Sequence, residues 1–268
     1  MVNQEAKMAF DKQSASFDET YANNVIVTYK REATRSHFER HIKSGYKILE
    51  LNAGTGQDSI HFARKGYLVH ATDISEGMLR QLKQKVSALH LIKSITHEQI
   101  SFLELASLTT KGPFDAIFSN FGGLNCTNQL DKVLASFAPL LKPNGIVTLV
   151  IMPPFCLWEF LQVLRGNFKV AFRRLFAKKG AKAHIEGVHF LCWYYRPSFV
   201  IKNLKNNFDL LSIEGICTIV PPSYMETFPN AYSKLWKTLK FLEDKYRGIF
   251  PFKYMGDYYI ITFRKKEF

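Results

Sequence analysis

The sequence predicts an α/β fold with a mostly parallel sheet and helices on both faces. Three observations carry this. Short apolar runs bounded by turn residues alternate with apolar stripes at helical spacing. Residues 47–75, KILELNAGTGQDSIHFARKGYLVHATDIS, read as strand, glycine turn, helix and second strand. The chain of 268 residues is 47% hydrophobic, enough for one large α/β domain with insertions or two small ones.

Within residues 47–75, Ile48, Leu49 and Leu51 form a short apolar run that stops at Asn52. Gly54 and Gly56 follow where the backbone must turn and admit a ligand. Asp58 and Ser59 suit the first turn of a helix, Ile60, Phe62 and Ala63 supply buried positions, and Gly66 ends it. Residues 67–72 read as the second strand, and Asp73 sits just past its end, where a carboxylate can accept two hydrogen bonds from a ribose diol. Two adenosine-type ligands compete for such a site. A dinucleotide wants Gly-x-Gly-x-x-Gly, but Ser59 stands at the third glycine position. A pyrophosphate also wants a bare, positive helix N-terminus, and Asp58 puts a carboxylate there. A sulfonium ligand carries positive charge and no phosphate, so acidic residues are no obstacle to it.

Glu50-Leu51-Asn52-Ala53-Gly54-Thr55-Gly56 resembles the first motif of the class I S-adenosylmethionine-dependent methyltransferases, and Asp73-Ile74-Ser75 with Met78-Leu79 resembles their second. Asn52 stands where many members carry glycine, and asparagine also tolerates unusual backbone angles. The resemblance extends to Met152, slightly more than half of the chain. It implies a seven-stranded Rossmann-like sheet of order 3-2-1-4-5-7-6 with the last strand antiparallel. It also implies S-adenosyl-L-methionine as cofactor and S-adenosyl-L-homocysteine as product. By the same resemblance, Glu50, Asn52, Ala53, Gly54, Thr55 and Gly56 hold the cofactor from the turn, and Asp73, Ile74 and Met78 hold it from the second motif. Members often carry an acid just after the third strand that touches the adenine amino group; Leu105, Ala106 and Ser107 stand there in this chain. Asn120 and Phe121, in Asn-Phe-Gly-Gly at the end of the fourth strand, form the opposite wall. Phe10-Asp11, Phe17-Asp18 and Tyr21 make an aromatic-acid pattern that resembles the family's N-terminal lid, with Tyr21 at the cofactor. No metal is expected.

The remaining elements follow from periodicity and turn signals. Residues 25–43 and 76–89 read as helices, 100–105 as the third strand and 114–120 as the fourth. Leu130, Val133, Leu134, Phe137 and Leu141 mark one helix, closed by the turn Lys142-Pro143-Asn144-Gly145, and residues 146–152 form a buried fifth strand. In residues 155–182 an apolar helical spacing breaks at Gly166-Asn167. Seven basic residues from Arg165 to Lys182 share this stretch with no acid between them, a pattern suited to capping a pocket, touching an anionic membrane surface or gripping phosphates. A helix from Arg196, a strand over 208–220, a helical stripe of Leu235, Leu239, Leu242 and Tyr246, and a last strand over 258–263 complete the chain. We expect one domain over residues 1–268, with lid helices in 1–44, the cofactor-binding core in 45–152, and insertions at 153–195 and 221–252.

The net charge of +13 and pI of about 9.5 make anionic partners a question for the whole surface. Against nucleic acid stands Asn-Phe-Gly-Gly, where enzymes that methylate nucleobase amines commonly show Asn-Pro-Pro-aromatic. The N-terminus lacks an apolar signal region and no run reaches 18 apolar residues, so a cytoplasmic location is expected. Four singly spaced cysteines argue against a zinc site or a disulfide framework. Aromatic residues of the insertions, among them Phe155, Trp158, Phe190, Trp193 and Tyr194, suit a small apolar or aromatic acceptor. His189, with His184, is the candidate base where the acceptor needs deprotonation. An RNA or protein methyltransferase using the basic insertion, and a non-methylating S-adenosylmethionine-binding protein, are the alternatives.

Overall fold

The computed structural model describes residues 4–110 and 112–267; Met1 to Asn3 of the expected lid stretch, Lys111 and Phe268 lie outside the described residues. Nine strands are described: β1 (Lys47–Leu51), β2 (Leu68–Asp73), β3 (Ile95–Gln99), β4 (Phe114–Ser119), β5 (Leu141–Ile151), β6 (Ala181–Ile185), β7 (Val188–Cys192), β8 (Phe208–Ile216) and β9 (Tyr258–Lys265). Seven form one sheet in the order β3-β2-β1-β4-β5-β9-β8, and β6 with β7 form a separate hairpin. The order is the expected one, renumbered by that hairpin. β1 pairs in parallel with β2 and β4, and β9 runs antiparallel to both β5 and β8.

Alternation along the central strands divides the core into two layers. Leu49, Leu51 and Ile117 point into one layer, whereas Ile48, Ala116 and Phe118 point into the other, beneath Phe38 and Phe62. α3 (Val25–Glu39) starts on Asn24, whose Oδ1 accepts from the backbone N–H of Ile26 and Val27 at 3.1 and 3.0 Å. It ends at Glu39, four residues earlier than the periodicity implies. Before it lie α1 (Gln4–Gln13) and α2 (Phe17–Ala22). α4 (Gln57–Arg64) and α5 (Glu76–Ala88) follow β1 and β2.

Four expectations need correction. The third strand is residues 95–99, and residues 100–104 are irregular. β3 lies at the sheet edge with only Ile95 buried, so its sequence ITHEQ looks polar, while the more apolar run after it packs Phe102 and Leu103 against the core as a loop. The helix expected over residues 130–141 is broken at Ser136, since Pro139 has no N–H and its ring collides with the carbonyl of Ala135. Residues 142–145 do turn, but as a bulge within β5: Phe114 pairs with Leu141 and Ala116 with Ile146. The helix Ser233–Tyr246 turns Trp236 and Glu243 inward and leaves Leu235 exposed. Its buried Glu243 accepts from the backbone N–H of Thr218, Ile219 and Val220, which ties the second insertion to the end of β8.

The hairpin β6–β7 is absent from the expectations. Its turn, Glu186-Gly187, has φ of 48° and 73°, the pair of positive angles that fits a two-residue hairpin. Glycine supplies one of them cheaply; glutamate at the other hid the signal. The hairpin packs against α1 through Val188, Phe190 and Cys192 on Ala6 and Ala9. Fully buried Asn125 fastens it to the sheet: Nδ2 donates to the carbonyls of Met152 and Trp193, and Oδ1 accepts from the N–H of Met152. Of the basic stretch, Arg174 is buried on Glu159 and Asp257, and Arg173 also bonds Glu159, so these arginines are structural partners rather than part of a free strip. All four cysteines are buried thiols. Among the described residues, no helix is long and apolar enough to cross a membrane.

Truncating Asn125 strips the Met152 N–H and the Trp193 carbonyl of their side-chain partner, while the Met152 carbonyl keeps the Tyr195 N–H at 3.2 Å. Asn125→Ala should therefore lower the unfolding free energy by roughly 2–4 kcal/mol in urea denaturation. A loss under about 0.5 kcal/mol, the usual range for surface substitutions, would show that the hairpin is not anchored there.

Candidate functional site

The C-terminal ends of β1, β2 and β4 converge on one cavity, where an open α/β sheet leaves room for a ligand. Asn52, Gly54, Asp73, Ile74, Met78, Asn120 and Phe121 line it, so seven of the expected residues lie together. Asn52 adopts φ 47°; its Nδ2 donates to the Asn120 carbonyl at 3.1 Å and its Oδ1 accepts from Ser119 Oγ at 2.9 Å. The asparagine thus takes the unusual backbone angle and stitches β1 to β4. At Gly54, with φ 57°, an added Cβ would meet no protein atom within 4 Å, so this backbone borders open space fit for a ligand. Asp73 accepts from the Gly54 N–H on Oδ2 and from the Ser75 N–H on Oδ1, both at 2.8 Å. A carboxylate has about four acceptor sites, so each oxygen keeps one for a diol. Burial raises the Asp73 pKa against the pull of those N–H donors.

Other expected residues lie elsewhere. The Glu50 side chain belongs to the Ile48 face of β1, so it points to α4, where Ser59 Oγ donates to it, and away from the cavity. Burial, then the neighbouring charge of Asp58, pushes its pKa up to about 8. Ala53, Thr55 and Gly56 shape the turn without lining the cavity; a Cβ on Gly56 would lie 2.7 Å from Leu82. Leu105, Ala106 and Ser107 form a short 3-10 helix, and Ser101, Phe102 and Leu103 line the cavity in their stead, because β3 ends at Gln99. Tyr21 lies outside it, in an adjoining cavity. His189 is exposed on β7, its ring 4.6 Å from that of His184, and borders a surface hollow with Gln4 and Glu5. It lines neither of the two cavities at the strand ends, so the structure does not bring the candidate base to them.

Asp58 also departs from expectation. It is buried, with Arg35 Nε at 2.7 Å, Asn120 Nδ2 at 2.9 Å and Arg31 Nη1 at 3.5 Å. Burial pushes its pKa up, but Arg31 and Arg35 outweigh that and hold it low. Its charge is compensated within the protein, so it presents no bare carboxylate to a ligand. The acid at the glycine turn is Asp18 of α2, which accepts from Thr55 Oγ1 at 2.6 Å and Gln57 Nε2 at 3.0 Å and pairs with Lys85.

α1 and α2 close over the cavity. Phe10 and Phe17 enter its lining. Beside each sits a carboxylate that fastens the helix to the core: Asp11 accepts from Ser75 Oγ at 2.6 Å and the Gly77 N–H at 2.9 Å, and Asp18 holds the turn. A second cavity of about 370 Å³ adjoins the first and shares Phe10, Phe17, Phe121, Gly123 and Cys126 with it. Its other walls come from α3, the hairpin, Tyr194 and Tyr258. Lys30 and Arg31 of α3 reach it, a placement with no local signal because it depends on how α3 crosses the sheet.

Sheet order, cavity position and capping helices define a Rossmann-like fold of the methyltransferase type. Residues 48–145 match the family model described as a methyltransferase domain. An uncharacterized protein of Methanocaldococcus jannaschii is 28% identical over 175 residues, 65% of this chain and 62% of that one. A ubiquinone/menaquinone biosynthesis C-methyltransferase, UbiE of Pasteurella multocida, is 32% identical over 108 residues, 39% of each chain. This chain thus spans less than two thirds of either relative. The structure of Burkholderia thailandensis 1,6-didemethyltoxoflavin-N1-methyltransferase, with bound 1,6-didemethyltoxoflavin and S-adenosylhomocysteine, is similar at a TM-score of 0.60 and 15% identity, covering 98% of this chain and 88% of that one.

Glu50 supplies a pH test. With its folded pKa raised from 4.5 to about 8, the folded state keeps a proton that the unfolded state releases, so stability falls as pH rises through that window. Glu50→Gln, which retains an acceptor for Ser59, should remove up to about 1.4 kcal/mol per pH unit from that slope. Thermal unfolding at several pH values between about 5 and 8 measures it; identical slopes in both proteins would contradict the assignment.

Proposed function

We propose that the chain binds S-adenosyl-L-methionine in the first cavity and methylates a small apolar or aromatic molecule held in the second. The observation that carries this is the continuity of the two cavities at Phe121, with a buried carboxylate on the donor side and aromatic walls on the other. Asp73 holds the ribose diol, and the Gly54 backbone borders the rest of the ligand. Met78, Ile74, Phe102 and Leu103 provide apolar surface for the adenine. When bound, the cofactor supplies a methyl group activated on a sulfonium.

The residues do the remaining work by orientation and exclusion of water, which together can supply about 7–11 kcal/mol in a displacement between two held partners. Phe10 and Phe17 cover both cavities from the N-terminal helices, and Phe121, at φ 50°, stands at their junction. Such a strained non-glycine residue is kept where the surroundings over-determine it. Whether oxygen, nitrogen or carbon accepts the methyl, its site is the space between Phe121 and Tyr258.

Calorimetry and transfer of a labelled methyl group test this. Asp73→Ala should weaken S-adenosylmethionine binding by about ten-fold or more, the loss of hydrogen bonds to a charged acceptor, with the fold checked by circular dichroism. Unchanged affinity in a folded Asp73→Ala protein, or tighter binding of NADH than of S-adenosylmethionine by the native chain, would overturn the reading.

A further inference from the structure

The second cavity is lined by four cations, Lys30, Arg31, Arg173 and Lys182, and by no carboxylate among the described residues. Three of these cations have carboxylates nearby, but each carboxylate is shared. Asp58 lies 3.5 Å from Arg31 and 2.7 Å from Arg35. Asp257 lies 3.8 Å from Lys30 but 2.6 Å from Arg174. Glu159 takes both Arg173 and Arg174. Five cations therefore divide three carboxylates, and Lys182 adds a further positive charge.

Lys30 is the sharpest case. It is 4% exposed, yet its ammonium, which has three donors, makes one hydrogen bond, to Ser223 Oγ at 3.1 Å. Its other neighbours are the faces of Tyr258 and Phe121, 4.6 and 5.5 Å away. The Arg31 guanidinium lies over the same Phe121 ring at 4.6 Å. A buried charge without a full counter-charge is costly in a protein built for stability alone. Here buried Lys30 and half-buried Arg31 flank the ring at the junction of the cavities.

We propose that the acceptor is an anion: an aromatic or apolar molecule carrying a carboxylate or phosphate that sits against Lys30 and Arg31, with its body on the aromatic walls. This rests on the reading of the second cavity as the acceptor site. It narrows the substrate class from apolar molecules to acidic ones, and it gives the positive lining a use that neutral acceptors would not.

The test is calorimetric titration of the full chain, loaded with S-adenosylhomocysteine, with naphthoic acid, naphthyl phosphate and methyl naphthoate. At least one of the two acids should bind about ten-fold or more tighter than the neutral ester, and the tighter acid tells carboxylate from phosphate. In Lys30→Met that preference should fall to about two-fold or less, with S-adenosylhomocysteine affinity unchanged. Equal or tighter binding of the ester by the native chain overturns the proposal, as does failure of both acids to bind at about millimolar concentration or an undiminished preference in Lys30→Met. The native comparison stands even if the variant does not fold. Should S-adenosylhomocysteine not bind, the methyltransferase reading fails separately, and acid against ester is read on the chain alone.

Discussion

A buried carboxylate must be compensated inside the protein, and Asp58 is where this structure depends on that rule. Arg35 and Arg31 come to it from α3, Asn120 from the end of β4, and Asp58 itself opens α4. One charge thereby fixes the crossing of the N-terminal helix over the sheet. Because Arg31 is drawn to Asp58, its guanidinium lies on Phe121, and because Asn120 is drawn there too, its own Oδ1 takes the Phe121 N–H at 2.7 Å. The strained residue at the junction of the two cavities is held from both sides by the same interaction. Deleting Asp58 would strand two arginines as well as lose a helix contact.

The N-terminal helices are attached by a different kind of contact. Asp11 and Asp18 are about one third exposed and reach across to backbone and side-chain donors on the core. Burial pushes both pKa values up, but hydrogen bonds from Ser75, Gly77 and Lys7 to Asp11, and from Lys85, Thr55 and Gln57 to Asp18, outweigh it and hold them low. Groups with depressed pKa values contribute above their unfolded pKa and lose that contribution as pH falls through the folded one. The attachment is thus fully made near neutrality. Exposed pairs of this kind are individually weak.

What was legible in the sequence follows from how locally each feature is determined. Residues 47–75 read correctly as strand, turn, helix and strand because glycine at Gly54, Gly56 and Gly66 and the apolar spacing are local signals. Of the aromatic-acid pattern, Phe10 and Phe17 line the cavity and Tyr21 does not. β3 was misplaced because an edge strand exposes most of its side chains, and that error moved the expected contacts from Ser101, Phe102 and Leu103 to Leu105, Ala106 and Ser107. Glu50 was misassigned because strand alternation, which sends it to the α4 side, was not carried through from Ile48. The second cavity was least legible. Lys30, Arg31, Asn125 and the hairpin meet only in three dimensions, through contacts between residues far apart in the chain.

The central claim is that the cavity at the strand ends binds the cofactor beneath α1 and α2, and hydrogen–deuterium exchange tests it most directly. Saturating S-adenosylhomocysteine should slow amide exchange in residues 4–22, 73–78, 101–103 and 120–123 together, since these segments share the lining or cover it. Unchanged exchange in residues 4–22 and 73–78, with protection appearing elsewhere in the chain, would contradict the account.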